Sequence, residues 1–202
     1  MYKVKEAFYT IQGEGHHAGS AAVFCRFSGC NAWSGLERDR LRDSAKAGCA
    51  AWCDTDFRGG ESYSVESLVS LLRSLWPVPG EGVVVFTGGE PSLQLDDRLV
   101  DSCHASGLLC WVETNGSRVL PSSVDWVCLS PKPPLRTVDQ RYDEVKVVYP
   151  AFDPDGFKHA AARRFVQPQD GSEGAVEACV LYVKGHPEWR LSLQTHKLVG
   201  IP

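Results

Sequence analysis

The sequence predicts an α/β fold in which a largely parallel sheet curls into an incomplete (β/α) barrel. Three observations predict it. Short apolar runs of buried-strand type alternate with amphipathic helical stretches through most of the chain, the pattern of strands joined by crossover helices. Nearly every such run leads straight into a polar cluster, as barrel strands do at carboxyl ends that carry an active site. The 202 residues, 43% hydrophobic and 23% charged, show no linker, repeat or shift of composition, so residues 1–202 read as one domain with one sizeable core.

Residues 2–11 (YKVKEAFYTI) and 21–28 (AAVFCRFS) alternate apolar with polar and read as strands. Residues 34–48 are polar and charged, either a short helix or an irregular excursion. Ser64 can cap a helix whose apolar stripe is Val65, Leu68, Val69, Leu72 and Leu75, with Pro77 and Pro79 stopping it. GVVVF (82–86) has the continuous apolar character of a strand buried on both faces. A helix holding Leu93, Leu95, Leu99, Val100 and Cys103 follows, then strands at 108–113, 124–129, 144–149 and 163–167. A helix from about Glu173 to Lys184 and a strand at 190–194 complete the chain. The clusters at the strand ends are TGGEP (87–91), ETNG (113–116), SPK (130–132), QPQDG (167–171) and QTHK (194–197). Any one suits an ordinary turn rich in Gly and Pro; five on one rim point to a site.

With 21 basic against 25 acidic side chains the formal charge is −4. A face built to neutralise phosphates pushes that balance basic, so no nucleic-acid partner is expected. No apolar run approaches the ~20 residues that cross a bilayer, and the opening MYKVKEAFYTIQGEG alternates instead of forming the apolar block of a signal peptide. The expectation is a cytoplasmic protein without membrane contact, its eight cysteines held mostly as thiols.

Cys30, Cys49 and Cys53 follow the second strand closely, in GCNAWSG and AGCAAWCDTDF. Thiolates are soft ligands for iron–sulfur clusters or zinc, and three of them can hold three irons of a four-iron cluster while the fourth stays open to a small molecule. Cys25, Cys103, Cys110, Cys128 and Cys179 sit within apolar strand or helix patterns and read as core. The rival grouping adds Cys25 to give C-x4-C-x18-C-x3-C, a loose four-cysteine zinc pattern; it corresponds to a zinc-stabilised binding module. The cysteines alone leave both readings open.

Cysteines ending in WCDT, then TGGEP after a buried strand, resemble the radical S-adenosylmethionine (SAM) superfamily. The finer resemblance is to the 7-carboxy-7-deazaguanine synthase family, through FYTIQGEG (8–15), FCRFSGCNAWSG (24–35), WCDTDF (52–57), FTGGEP (86–91), ETNG, SPK, VQPQDG (166–171) and LQTHK (193–197), in that order and over almost the whole chain. The superfamily spacing is usually C-x3-C-x2-C. Here the first gap holds 18 residues and the second three, so residues 31–48 read as an insertion within the cluster-binding loop. A longer loop is tolerable, since doubling it costs only about 0.6 kcal/mol of closure entropy. The extra residue between Cys49 and Cys53 is the sharper departure: in a helical turn it rotates a ligand by about 100°, unless a local bulge absorbs it.

The resemblance implies a radical SAM lyase whose [4Fe-4S] cluster is held by Cys30, Cys49 and Cys53. It implies that SAM, cleaved to a 5′-deoxyadenosyl radical, removes a hydrogen atom from 6-carboxy-5,6,7,8-tetrahydropterin. The ring then contracts with loss of ammonia to 7-carboxy-7-deazaguanine, the precursor of queuosine. For SAM, the matching positions are Gly89, Ser130, Pro131, Lys132, Gln167, Pro168, Gln169 and Asp170, with Asn115 on the same rim. For the pterin they are Ile11, Gln12, Gly13, Glu14, Arg26, Thr87 and Pro202, the last through its terminal carboxylate. Arg26 offers a fork suited to the substrate carboxylate, or else a surface ion pair. Thr55 matches a magnesium position, Mg²⁺ being an ion that prefers hard oxygens; Asp54 and Thr55 also suit a plain turn cap. A flavodoxin-type electron donor and a homodimer are implied with these. His16 and His17 match no role and read as solvated loop residues. A radical SAM activating enzyme, which puts its radical on a protein backbone, is the nearest alternative; QGEG, ETNG and QTHK favour the pterin-converting relatives.

Overall fold

The computed structural model describes residues 1–53 and 55–202; the turn-cap reading of Asp54 therefore lies outside the described residues. Strands β1 (Tyr2–Ile11) and β2 (Ala21–Phe27) form an antiparallel hairpin with Ile11 opposite Ala21 and a bulge between Val4 and Glu6. A short strand β3 (Glu61–Tyr63) pairs with the outer edge of β1. Beyond β2 every pairing is parallel and follows chain order: β4 (Gly82–Gly88), β5 (Leu108–Thr114), β6 (Trp126–Leu129), β7 (Glu144–Tyr149), β8 (Arg163–Pro168) and β9 (Arg190–Leu191). Among the described residues this makes a nine-stranded sheet with β3 and β9 at its edges. The sheet is open, an incomplete barrel and not a closed one.

The helices follow their side-chain signals. Helix α1 (Arg40–Ser44) lies between two 3-10 turns, Glu37–Asp39 and Gly48–Ala51, so the polar segment is part helix and part irregular excursion. Helix α2 (Val65–Leu75) starts where the Ser64 hydroxyl accepts from the Ser67 N–H and buries Val65, Leu68, Val69 and Leu72. Helix α3 (Asp97–Ala105) begins later than the sequence predicts. Asp96 caps it through the Leu99 N–H at 3.0 Å, and Pro91–Leu93 forms a separate 3-10 turn, so Leu93 and Leu95 lie ahead of it. Helix α4 (Ala175–Gly185) covers β8, and the predicted strand at 190–194 stops at Leu191 because Gln194 leads into a further short helix, α5 (Thr195–Val199).

One core lies between the sheet and helices α2 and α3, built on Val23, Phe27, Leu68, Leu72, Val84, Phe86 and Leu99. Cys25, Cys103 and Cys110 belong to it, as the apolar patterns predict, and burial pushes the Cys25 thiol up. A second core carries Val145, Val147, Val166, Cys179 and Trp189 and reaches Ala47 and Cys49. A third, small cluster of Trp33, Ala50 and Phe57 packs against Cys30 and Cys53. The excursion is tied to that cluster. The Arg40 guanidinium lies 4.4 Å from the Trp33 ring centroid and donates to the carbonyls of Ala50 (2.8 Å) and Cys53 (3.2 Å), while Asp43 accepts from the Ser34 N–H at 2.8 Å.

Candidate active site

A cavity of about 620 Å³ opens at the carboxyl ends of the parallel strands. All five polar clusters reach it, through Thr87 to Glu90, Glu113 to Asn115, Ser130 and Lys132, Gln167, and Gln194 with His196 and Lys197. Parallel strands present all their carboxyl ends on one side, so segments far apart in sequence share one rim.

Cys30, Cys49 and Cys53 line the same wall. The turn after the 3-10 segment closes with the Cys53 N–H donating to the Cys49 carbonyl at 2.7 Å. That 5→1 closure follows the 3-10 turn and a non-helical Trp52 (φ −139°), a local irregularity that takes up the extra residue while both cysteines line the cavity. The Cys30 sulfur accepts from the Ala32 N–H at 3.3 Å, the kind of bond that tunes cluster cysteines. Among the described residues, the groups whose ligand atoms all lie within 4.8 Å of one another are His104, Cys110 and Asp125, and Glu113, Cys128 and Glu144, and do not include this trio. One zinc at about 2.3 Å from each sulfur needs them within about 4.6 Å, closer than the three sulfurs all stand to one another in this structure. Cys25 is walled off in the helix-side core. The four-cysteine zinc reading is therefore corrected.

The TGGEP segment is seated against the cysteine loop. Gly88 has φ +131°, a region that favours glycine, and a Cβ on Gly89 would stand 2.0 Å from the Gly29 carbonyl oxygen and 2.9 Å from the Cys30 Cβ. Glu90 is buried, accepting from the Thr114 hydroxyl (2.6 Å) and the Asn115 N–H (2.7 Å). Asn115 donates to Asn31 at 2.9 Å, which ties the β5 end to the cysteine loop. The Lys132 ammonium donates to the Ser130 hydroxyl at 2.5 Å. Gln167 is buried, accepting from the Ser192 hydroxyl at 3.1 Å. Pro131, Pro168, Gln169 and Asp170 are not in the cavity wall; Asp170 pairs with Lys197 at 2.6 Å on the rim.

Across the cavity the wall takes in Ile11, Gln12, Gly13, Glu14, Arg26, Thr87 and Pro202, with Thr55 beside the last cysteine. Arg26 also pairs through Nε with Glu6 at 2.8 Å, so it faces the site and makes the surface ion pair as well. The Pro202 carbonyl accepts from the Thr10 hydroxyl at 2.9 Å. Gly13 lets α5 approach: a Cβ there would stand 2.1 Å from His196 Nδ1, and the Gly13 carbonyl accepts both the N–H (3.0 Å) and the hydroxyl (2.9 Å) of Thr195.

The structure adds residues that the sequence reading missed. Glu113 and Lys146 line the floor, and the Lys146 ammonium lies 2.5 Å from Glu14 and 2.9 Å from Glu113. Burial pushes the Glu14 carboxyl up, but Lys146 and the Gln194 amide outweigh it and hold the group down at about 2. Burial raises Glu113, and the neighbouring Glu14 and Glu144 add to that against Lys146. A lysine inside the apolar run EVKVVY and a glutamate heading ETNG were the available signals. His16 and His17 are also not simply solvated. His17 stacks on Trp111 with centroids 3.9 Å apart, and His16 on Trp126 at 5.0 Å.

No family model matches the chain. It is 47% identical over 213 residues to the 7-carboxy-7-deazaguanine synthase of Bordetella pertussis, an alignment covering 100% of this chain and 99% of that protein. With the 7-carboxy-7-deazaguanine synthase of Caulobacter vibrioides the identity is 46% over 213 residues, with coverage of 100% and 99%. Among solved structures, that of QueE from Escherichia coli superposes with a TM-score of 0.69 at 26% identity, covering 95% of this chain and 93% of that one.

Proposed function

The chain belongs to the 7-carboxy-7-deazaguanine synthase family, and on that premise we propose that its cavity converts 6-carboxy-5,6,7,8-tetrahydropterin to 7-carboxy-7-deazaguanine with loss of ammonia, in queuosine biosynthesis. The observation that carries the reading is the convergence of three cysteines and five strand-end clusters on one cavity. Cys30, Cys49 and Cys53 fit a [4Fe-4S] cluster, and Gly89, Asn115, Ser130, Lys132 and Gln167 form the SAM side beside it. When bound, cluster and SAM supply the one-electron chemistry that removes a hydrogen atom from the pterin, which no side chain here can do.

The protein's own residues position the substrate and keep water out. Gln12, Glu14 and Thr87 meet the polar edge of the pterin, while Ile11 and Gly13 give backbone surface close to the ring. Arg26 offers its guanidinium fork to the substrate carboxylate, and Pro202 contacts the substrate through its terminal carboxylate. The Thr55 hydroxyl, the substrate carboxylate and waters suit Mg²⁺. Pro131, Pro168, Gln169 and Asp170, outside the cavity lining, complete the SAM-binding segments to which they belong. A flavodoxin-type donor and a homodimeric assembly complete the proposal. Among the described residues no helix is long and apolar enough to cross a membrane.

The test is anaerobic reconstitution with iron and sulfide, then incubation with SAM, reductant and the carboxypterin. About four irons per chain and a deazaguanine chromophore are expected. A loaded protein that cleaves SAM but leaves the pterin unchanged would point to a backbone-activating enzyme and refute the proposal.

A further inference from the structure

We infer that Lys146 is a positioning residue for the pterin, its ammonium holding Glu14 and Glu113 so that two carboxylates face the cavity at a fixed separation as acceptors for the aminopyrimidinone edge of the ring. The inference rests on the substrate reading above and deepens it. Lys146 projects from β7 with only 3% of its side chain exposed. Each carboxylate gives it one oxygen and gives the other to an amide: Glu14 accepts from the Gln194 Nε2 at 2.9 Å, and Glu113 from the Gln12 Nε2 at 3.2 Å. Both groups are thus fixed from two sides. An ionised carboxylate has about four lone-pair sites, so each keeps acceptor capacity toward the cavity. A pterin presents N–H donors along its 2-amino and ring-nitrogen edge.

The charges around Lys146 make it the residue on which this arrangement depends. Glu14 comes from the turn after β1, Glu113 from β5 and Glu144 from β7, three carboxylates near one ammonium. Glu144 is anchored lower down, accepting the His16 N–H at 2.7 Å. Cys128 on β6 lies between Glu113 and Glu144 in strand register, its thiol pushed up by burial. His196 on α5 faces Glu14, and burial biases it toward the neutral form. Without the ammonium, Glu14 and Glu113 repel each other in a water-poor floor and take up protons. A protonated carboxyl is a donor, and it would then oppose the donors of the ring.

The experiment uses cluster-loaded protein, wild type and Lys146→Met, titrated calorimetrically with the carboxypterin between pH 6 and pH 9 without reductant, so that nothing turns over. Iron content and SAM binding of the variant should match wild type. Its pterin affinity should fall by about tenfold or more at neutral pH, the loss of one charge-assisted contact. That loss should deepen toward pH 6 and shrink toward pH 9 as the carboxylates ionise. In turnover, KM should rise by a larger factor than kcat falls, and Lys146→Arg should recover part of the affinity. Unchanged affinity, or a loss equal at every pH, overturns the inference. Should Lys146→Met fail to fold, the charge-balanced Lys146→Met/Glu113→Gln is compared with Glu113→Gln alone. Weaker binding by the double variant supports action through Glu14, and equal binding overturns it. Wild-type protein that fails to bind the pterin overturns the substrate reading and this inference with it; wild-type binding with an unaffected variant overturns the inference alone.

Discussion

Gly89→Ala isolates the seating of the TGGEP segment on the cysteine loop. An added Cβ would lie 2.0 Å from the Gly29 oxygen and 2.5 Å from its carbon. It falls about 1.4 Å short of ordinary van der Waals contact, and the obstructing atoms are backbone. No rotamer change relieves it. The two strands of chain are also stitched together, the Gly89 N–H donating to the Phe27 carbonyl (3.2 Å) and the Glu90 N–H to the Gly29 carbonyl (3.0 Å). Relief must move the loop that carries Cys30. Overpacking of this kind costs about 1–3 kcal/mol, and rigid backbone on both sides puts this site near the upper figure. For a chain of this length about 3 kcal/mol lowers the melting temperature by roughly 6–12 °C. The assay is thermal unfolding of the metal-free protein, followed by iron quantitation after anaerobic reconstitution, with Cys30→Ala as the ligand-loss control. Gly185→Ala is the steric control, since a Cβ there meets nothing within 4 Å and its φ lies outside the left-handed range. Gly89→Ala should melt early and load iron poorly. Wild-type melting with full iron loading would refute the argument that this glycine is there for close approach.

Glu90→Ala should destabilise the protein by about 2–4 kcal/mol, because it strands the buried Thr114 hydroxyl and the Asn115 N–H; thermal unfolding of the metal-free chain checks it. His17 contributes a pH-dependent term. Burial, with His16 and Arg163 nearby, depresses its pKa from 6.5 to about 4, and its buried Nε2 has no hydrogen-bond partner among the described residues. The unfolded chain therefore binds the proton more readily, and this stabilisation is full above pH 6.5 and lost as pH falls toward 4. Discounted for solvent, it amounts to about 1 kcal/mol, so His17→Phe should lose less melting temperature than wild type between pH 7 and pH 4.5; equal losses would count against it. Thr55→Val should reduce the stimulation of turnover by Mg²⁺, read by titrating the ion into chelator-treated enzyme, with a wild-type response removing Thr55 from the metal site.

What the sequence made legible was what each residue type announces by itself. Soft thiols in one loop announced a metal centre, cluster or zinc, and polar motifs closing apolar runs announced a rim. The structure brings both to one cavity. What stayed hidden depended on register between strands that are distant in sequence. Glu113, Cys128 and Glu144 form one row because β5, β6 and β7 pair with Glu113 opposite Cys128 and Cys128 opposite Glu144. Lys146 then stands two residues above Glu144, on the same face. No local pattern gives those offsets, and a lysine inside an apolar strand reads as an exception until its carboxylate partners are found. The same limit explains β3 and α5, three and five residues long, too short to show a period and formed because β1 and Gly13 give them something to lie against. It also explains the cysteine spacing. Counted along the chain, x3 in place of x2 looks like a displaced ligand; with the Cys53 N–H closed onto the Cys49 carbonyl and Trp52 leaving the helical region, the added residue is taken up locally and both cysteines still line the cavity. Departures in motif spacing are thus judged by the turn that realises them, and here the turn is compatible with the chemistry that the surrounding motifs require.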